Sequence, residues 1–317
     1  MVWFKENVSN KKKWLSKKIK KPIANITKLC GYEWQTSPRV TELLAQEFHN
    51  IPYCQKLYAM NTDYIQIGAS ITTNNVDINA DGFKHANKPY CTGSLPFRGL
   101  LLTSAYTGEN AMPLITVIQA INLKDKLLGF IAADFDLRDL PVSNISTSQH
   151  HWQQFKGDPS IRSTVFMQER SQSELDKNME IVMDNMFNLF CDHGVFHSVI
   201  HFSSSLCTLW SDDDPYSYRI HDINEMTTPE LFLLYPRRQY SKKAVVAPDK
   251  IPLILSAFKT LRNVDNTFYL RSASLNIMNN MISLTFSCDG SHYMMVDEFL
   301  EKEPKFWSET PAQAKTG

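Results

Sequence analysis

The stretch "LLGFIAADFDLRDL", Leu127 to Leu140, begins as a core strand and fills with carboxylates before it ends. Side chains of a strand alternate between its two faces. Leu128, Phe130, Ala132, Asp134 and Asp136 therefore share one face, and Gly129, Ile131, Ala133, Phe135 and Leu137 the other. The acids lie on one face only. Asp134 follows the small Ala132, and a carboxylate at that depth needs a cation or several hydrogen-bond donors to offset its desolvation. Two readings stay open: an acid at the exposed strand end or paired with a lysine, and an acid kept for a ligand.

Outward from this strand the pattern is regular. "PLITVIQAINL" (113–123) precedes it across a "KDK" turn, "GLLLTSAYTG" (99–108) reads as a third strand, and "KLYAMNTDYIQIGASIT" (56–72) as a hairpin turning at "NTD". Before them, "SPRVTELLAQEFHNIP" places Ser37 at a cap, Pro38 at the first helical position and Val40, Leu43, Leu44 and Phe48 at helical spacing. Five strands without intervening helices argue for an antiparallel sheet with its helix on one face, an α+β arrangement.

Beyond residue 140 the composition shifts. Residues 140–160 are rich in Ser, Asn, Gln, Gly and Pro, a linker in which Trp152 and Phe155 offer packing. A second α+β domain follows: a helix over 173–194 capped by Ser173 and stopped by Gly194, strands over 195–210 and 267–296, and a helix over 246–263. The expected plan is a basic segment at 1–37, a ligand-binding domain at 38–145, a linker at 146–160, a second domain at 161–305 and a tail at 306–317.

The whole chain has 317 residues, 43% of them hydrophobic, and 33 basic against 33 acidic side chains. It can bury two cores, and its total charge calls for neither nucleic acid nor a membrane surface. Six cysteines without CxxC spacing fit free thiols in a reducing compartment. "KKKWLSKKIKK" (11–21) is followed by no apolar region of signal-peptide length, and no run reaches spanning length, so the expectation is a cytoplasmic protein. The basic run itself reads either as a weak anchor for anionic lipid or nucleic acid or as a frayed, solvated helix.

Four motifs in order resemble the ligand-binding half of a Cache, or PDC, domain, the PAS-like sensor of bacterial chemoreceptors and kinases. They are Lys88, Pro89, Tyr90 and Cys91; then Leu102, Thr103 and Tyr106; then Ile115, Thr116 and Val117; then Gly129 through Leu137. The resemblance covers 38–142. It implies a PAS-like sheet with a long N-terminal helix and a small-molecule pocket in which Asp134 takes the cationic end of an amine or amino acid. Tyr106 and Tyr90 would line it with Thr103 and Asp136, and Lys88 or Arg98 would hold a ligand carboxylate. Lys88 stands where the family has arginine, and Cys91 where it has an aromatic. No cofactor, metal or nucleic acid is implied, and the N-terminal helix could pair two copies.

The C-terminal half carries the material for a different class, a hydrolytic enzyme. His193, His197 and His201 are spaced by four, but Gly194 and the β-branched run around them favour a strand, where only His197 and His201 share a face. A third ligand would come from His221, His292 or the "DDD" at 212–214. "FSSS" (202–205) and "FSCDGSHY" (286–293) offer Ser or Cys with His292 and Asp289, without a nucleophile-elbow context. "YPRRQYSKK" (235–243) is either a phosphate contact or a solvated loop. A ligand-binding sensor without chemistry is the favoured expectation, and a metal-, serine- or cysteine-based hydrolase the alternative.

Overall fold

A computed structural model of the chain describes residues 2–34, 37–85, 88–92, 95, 99–124, 126–141, 170–287 and 291–302. The protein divides into two compact units. The N-terminal unit comprises Val2–Ser146 with Thr228–Pro236, and the C-terminal unit the chain from Thr147–Thr227 and from Arg237 onward. The class is α+β, with antiparallel sheets and helices.

The N-terminal unit opens with α1 (Val2–Glu33) and α2 (Ser37–Glu47). Residues 1–37, expected to stand apart, supply its longest helix. Phe4, Val8, Leu15, Ile19, Ile23, Ile26 and Cys30 recur at three, four and seven residues and are all buried, the stripe that a helix lays against a core. Full burial of each aliphatic side chain is worth roughly 1.5–3 kcal/mol, whereas a lysine pair one turn apart costs only about 0.2–0.5 kcal/mol. The stripe wins, and residues 11–21 form mid-helix instead of a frayed end.

Among the described residues seven strands form the sheet: β1 (Lys56–Asn61), β2 (Gln66–Thr72), β3 (Val76–Asp77), β4 (Leu100–Leu102), β5 (Tyr106–Thr107), β6 (Pro113–Leu123) and β7 (Lys126–Asp136). Their order is β3-β2-β1-β7-β6-β4, with β5 on β6, all antiparallel. The hairpin and the strands over 113–123 and 127–137 are present, whereas the single strand expected over 99–108 is broken into β4 and β5, both paired with β6. Gln119 Nε2 donates to Thr27 Oγ1 at 3.2 Å, which fixes the helix-covered face. Gln119 pairs with Ile131, Val117 with Ala133 and Ile115 with Phe135, so the odd-numbered face of β7 packs under α1. Gly129 lies on that face under Trp34, and a Cβ there would come within 2.3 Å of the Met60 carbonyl oxygen and 2.5 Å of the indole. The opposite face gathers Tyr58, Met60, Tyr90, Ile118, Ala120, Phe130 and Ala132. Asp134 is on this second face.

The C-terminal unit contains α3 (Glu174–Lys177), α4 (Met179–Asp192), β8 (Val195–His201), β9 (Leu206–Ser211), β10 (Asp214–Asp222), α5 (Ile223–Thr227), α6 (Lys250–Asn263), β11 (Leu270–Asn276), β12 (Met281–Phe286), β13 (Ser291–Met295) and α7 (Val296–Glu301). Its described strands are ordered β10-β9-β8-β11-β12-β13 and antiparallel. Ser173 caps α3 in a capping box with Asp176. Gly194 ends the helical stretch at φ +70, where a Cβ would meet Asp212 Oδ1 at 2.7 Å. The expected linker at 146–160, Cys288 with Asp289, and the 306–317 tail lie outside the described residues.

Candidate functional site

β7 places Asp134 between two neighbours: Lys56 of β1 is opposite it on one side and Thr116 of β6 on the other. The carboxylate is 4% exposed. Thr116 Oγ1 donates to Asp134 Oδ1 at 2.6 Å, and Tyr58 Oη reaches the same oxygen at 3.5 Å, a long contact. With the Thr116 proton committed, Tyr106 Oη donates to Thr116 Oγ1 at 2.7 Å. Tyr90 Oη and Tyr58 Oη share a hydrogen bond, also at 2.7 Å, in which either hydroxyl can donate. Two hydroxyl chains thus converge on one carboxylate oxygen. Asp134 Oδ2 accepts no hydrogen bond among the described residues.

Among the described residues no ion pair neutralises this acid. Lys56 stands over the Tyr58 ring at 5.7 Å and Lys88 over the Tyr106 ring at 5.4 Å, and both act on Asp134 through space. Burial pushes the Asp134 pKa above the usual carboxylate range, and Thr116, Lys88, Lys56 and Tyr58 only partly pull it back. Burial, with the charge of Asp134, also raises the Tyr58 and Tyr106 hydroxyls, so both are neutral donors near pH 7.

Beside Tyr58 sits His85, 3% exposed, its ring stacked on the tyrosine at 4.7 Å. Gln66 Nε2 is committed to Gly68 O and Ser70 Oγ, so Gln66 Oε1 accepts from His85 Nε2 at 2.9 Å. Nδ1 is then a bare acceptor, with no hydrogen-bond partner among the described residues. Burial, then the charges of Lys56 and Lys88, lower this histidine to about 4, which keeps it neutral near pH 7. Cys91 donates to the His85 carbonyl at 3.0 Å, and burial raises its pKa, so it is a thiol and not a thiolate.

Of the residues expected at this site, Asp134, Tyr106, Tyr90, Thr103 and Lys88 come together. Thr103 Oγ1 accepts from the Thr116 backbone N–H at 3.0 Å and so braces the strand that carries Thr116. Asp136, expected beside them, is held within its own turn: Arg138 Nε and Nη2 bind its two oxygens at 2.9 and 2.6 Å, and the Arg138 backbone N–H adds a third bond. Arg98 lies outside the described residues. Tyr58, Lys56 and His85 were not among the expected site residues, because the register of β1 against β7 brings the first two to Asp134 and His85 joins them by stacking on Tyr58.

The described histidines of the hydrolase reading in β8 and β10 each have partners of their own, while Cys288 and Asp289 lie outside the described residues. Among the described residues no three His, Cys, Asp or Glu side chains could hold a metal. His197 stacks on Trp210 at 4.4 Å, His201 contacts Thr208 at 3.4 Å, and buried His221 binds Glu225 at 3.0 Å. Arg238 pairs with Asp212 and Asp213, at 3.1 and 3.3 Å, which ties part of the basic 235–243 stretch to the acids at 212–214.

The fold and site define a two-unit α+β protein whose first sheet buries a carboxylate that, among the described residues, is contacted by hydroxyls. No protein-family model and no curated protein matches the chain. Among solved structures it is similar to the ligand-binding domain of the Pseudomonas fluorescens chemoreceptor CtaA in complex with L-serine, with 18% identity and a TM-score of 0.32 over 42% of this chain and 56% of that one. It is also similar to the sensory domain of a Campylobacter jejuni chemoreceptor with isoleucine bound, at 15% identity and a TM-score of 0.33 over 44% of this chain and 63% of that one. An extracellular ligand-binding receptor from Desulfohalobium retbaense matches at 11% identity and a TM-score of 0.31, over 42% of this chain and 25% of that one. The chain thus spans less than two thirds of each of these, and what the site does must be read from its own side chains.

Proposed function

We propose that the N-terminal unit is a small-molecule sensor or binding module that holds an amino acid, or a related amine or carboxylate, and performs no chemistry of its own. The observation that supports it is the state of Asp134: a buried carboxylate with one oxygen contacted by hydroxyls and the other accepting no hydrogen bond among the described residues. Folding alone would favour an apolar residue or a paired ion at that depth. A ligand ammonium on Oδ2, with a ligand carboxylate near Lys88, would complete the set by charge-assisted hydrogen bonds. The neutral thiol of Cys91 and the neutral tyrosines are suited to binding, since none is an activated nucleophile. A reducing compartment belongs to the same reading, the described cysteines Cys30, Cys54, Cys91, Cys191 and Cys207 all being free.

The test is a thermal-shift screen of the intact chain against amino acids, amines and short carboxylates. A ligand that binds only the folded state raises the melting temperature with its concentration. The expected result is a hit whose shift disappears in Asp134→Asn. A hit that shifts wild type and Asp134→Asn equally, or no hit at all, overturns the reading.

A further inference from the structure

Elsewhere in the N-terminal unit a groove of about 690 Å³ runs along α1, lined by Phe4, Val8 and Leu102 on its apolar side and by Lys5, Lys12, Lys13, Lys17 and Lys20 on its rim. Glu230 is the carboxylate that lines it, and that acid is already paired with Lys12. Lys5, Lys13, Lys17 and Lys20 are exposed and make no ion pair among the described residues. Lys13 with Lys17 and Lys17 with Lys20 stand one helical turn apart, a like-charge spacing that opposes the helix. The apolar stripe of α1 explains the helix but not this repulsion on its other side.

We infer that the groove is an anion site for a small soluble molecule carrying two or more phosphate groups. Lysine ammoniums are point charges suited to phosphate oxygens. From Lys5 to Lys20 the helix advances about 22 Å at its normal rise, so a single phosphate reaches only part of the row, whereas linked phosphates engage several lysines at once. A membrane surface fits less well: the apolar side chains of α1 that line the groove, Phe4 and Val8, are buried, which leaves no wedge for a bilayer beside these lysines. Single-stranded nucleic acid lacks a stacking platform here, because Phe4 is 5% exposed.

The test uses the full chain in calorimetric titrations with inorganic tripolyphosphate, with orthophosphate, and with phosphatidylglycerol vesicles. Tripolyphosphate should bind, its affinity should fall with added salt, and orthophosphate should bind more weakly. The exposed triple variant Lys13→Gln, Lys17→Gln, Lys20→Gln should lose about tenfold in tripolyphosphate affinity. Its melting temperature should be unchanged or raised, glutamine being as good a helix former as lysine. Lys242→Gln with Lys243→Gln, exposed lysines of the C-terminal unit, should leave the affinity unchanged. Absence of tripolyphosphate binding, equal affinity for orthophosphate, an equal loss in the control variant, or binding to vesicles alone would each overturn the inference.

Discussion

Asp176 in the C-terminal unit and Asp134 in the N-terminal unit are both withdrawn from water, the first with its side chain 4% exposed and the second 4% exposed as a residue. Asp176 receives Arg262 Nε and Nη2 on its two oxygens, each at 2.8 Å, with the Ser173 backbone N–H at the same length. Arg262 is itself fully buried, donates to the Leu270 carbonyl and stands over the Phe202 and Tyr269 rings. Asp134 receives hydroxyls on one oxygen. Burial pushes both pKa values up, but around Asp176 the guanidinium and the cap outweigh it, and the net displacement is downward. For Asp134 it stays upward. One acid completes a structure; the other is left with a capacity that the fold does not use.

The largest expected effect tests the first half of that contrast. Asp176→Ala strands a buried guanidinium, and breaking such a pair costs about 3–5 kcal/mol. Chemical denaturation should show the C-terminal unit losing that much, and a loss below about 1 kcal/mol would mean that Arg262 finds another partner.

Next in size is Gly129→Ala, on the helix face of the strand that carries Asp134. The added methyl meets backbone as well as the Trp34 ring, and overpacking of this kind costs about 1–3 kcal/mol. A melting temperature equal to wild type would show that α1 yields easily at that point.

The pH dependence of stability should have opposite signs in the two regions. Asp134 has a raised folded pKa, so its contribution is fully present below the unfolded value of about 3.9 and is lost as pH rises through the folded one. Asp176 has a depressed folded pKa, so its contribution is present above that unfolded value and is lost as pH falls through the folded one. Asp134→Asn should therefore flatten the decline of stability above pH 4 while leaving the acid-side loss in place. If the decline persists in Asp134→Asn, another group causes it.

The smallest effect is Tyr106→Phe, which removes the outer member of one hydroxyl chain and should cost about 0.5–1.5 kcal/mol. A larger loss would mark the chain as a structural network, against the reading that Asp134 is held for a ligand.

What the sequence revealed follows the range of the interactions. Alternation in 127–137, the strand pairs around it and the Ser173 cap are local patterns, and they appear as expected. The face of Asp134 was legible for the same reason. Its partners were not: Lys56 is 78 positions before Asp134 and Thr116 18 positions before it, and both reach it only through the register of β1, β7 and β6. α1 was hidden by its lysines, whose charge masks an apolar stripe of correct spacing. β10, "DPYSYRIHD", is an edge strand that was not legible in the sequence, its polar residues hiding the alternation. The Arg138 partner of Asp136 was not legible either, since the side chain folds back across only two residues.

The segment Thr228–Pro236 belongs to the N-terminal unit although roughly 80 residues of the other unit precede it in the chain. In it Leu231, Phe232 and Leu233 are buried, and Glu230 meets Lys12. During synthesis at about 5–20 residues per second, the first unit therefore waits on the order of ten seconds for its last piece to leave the ribosome. Until then the surface that those three side chains cover is bare. A nascent chain arrested before residue 228 should be a client for chaperones, and one released past residue 236 should not.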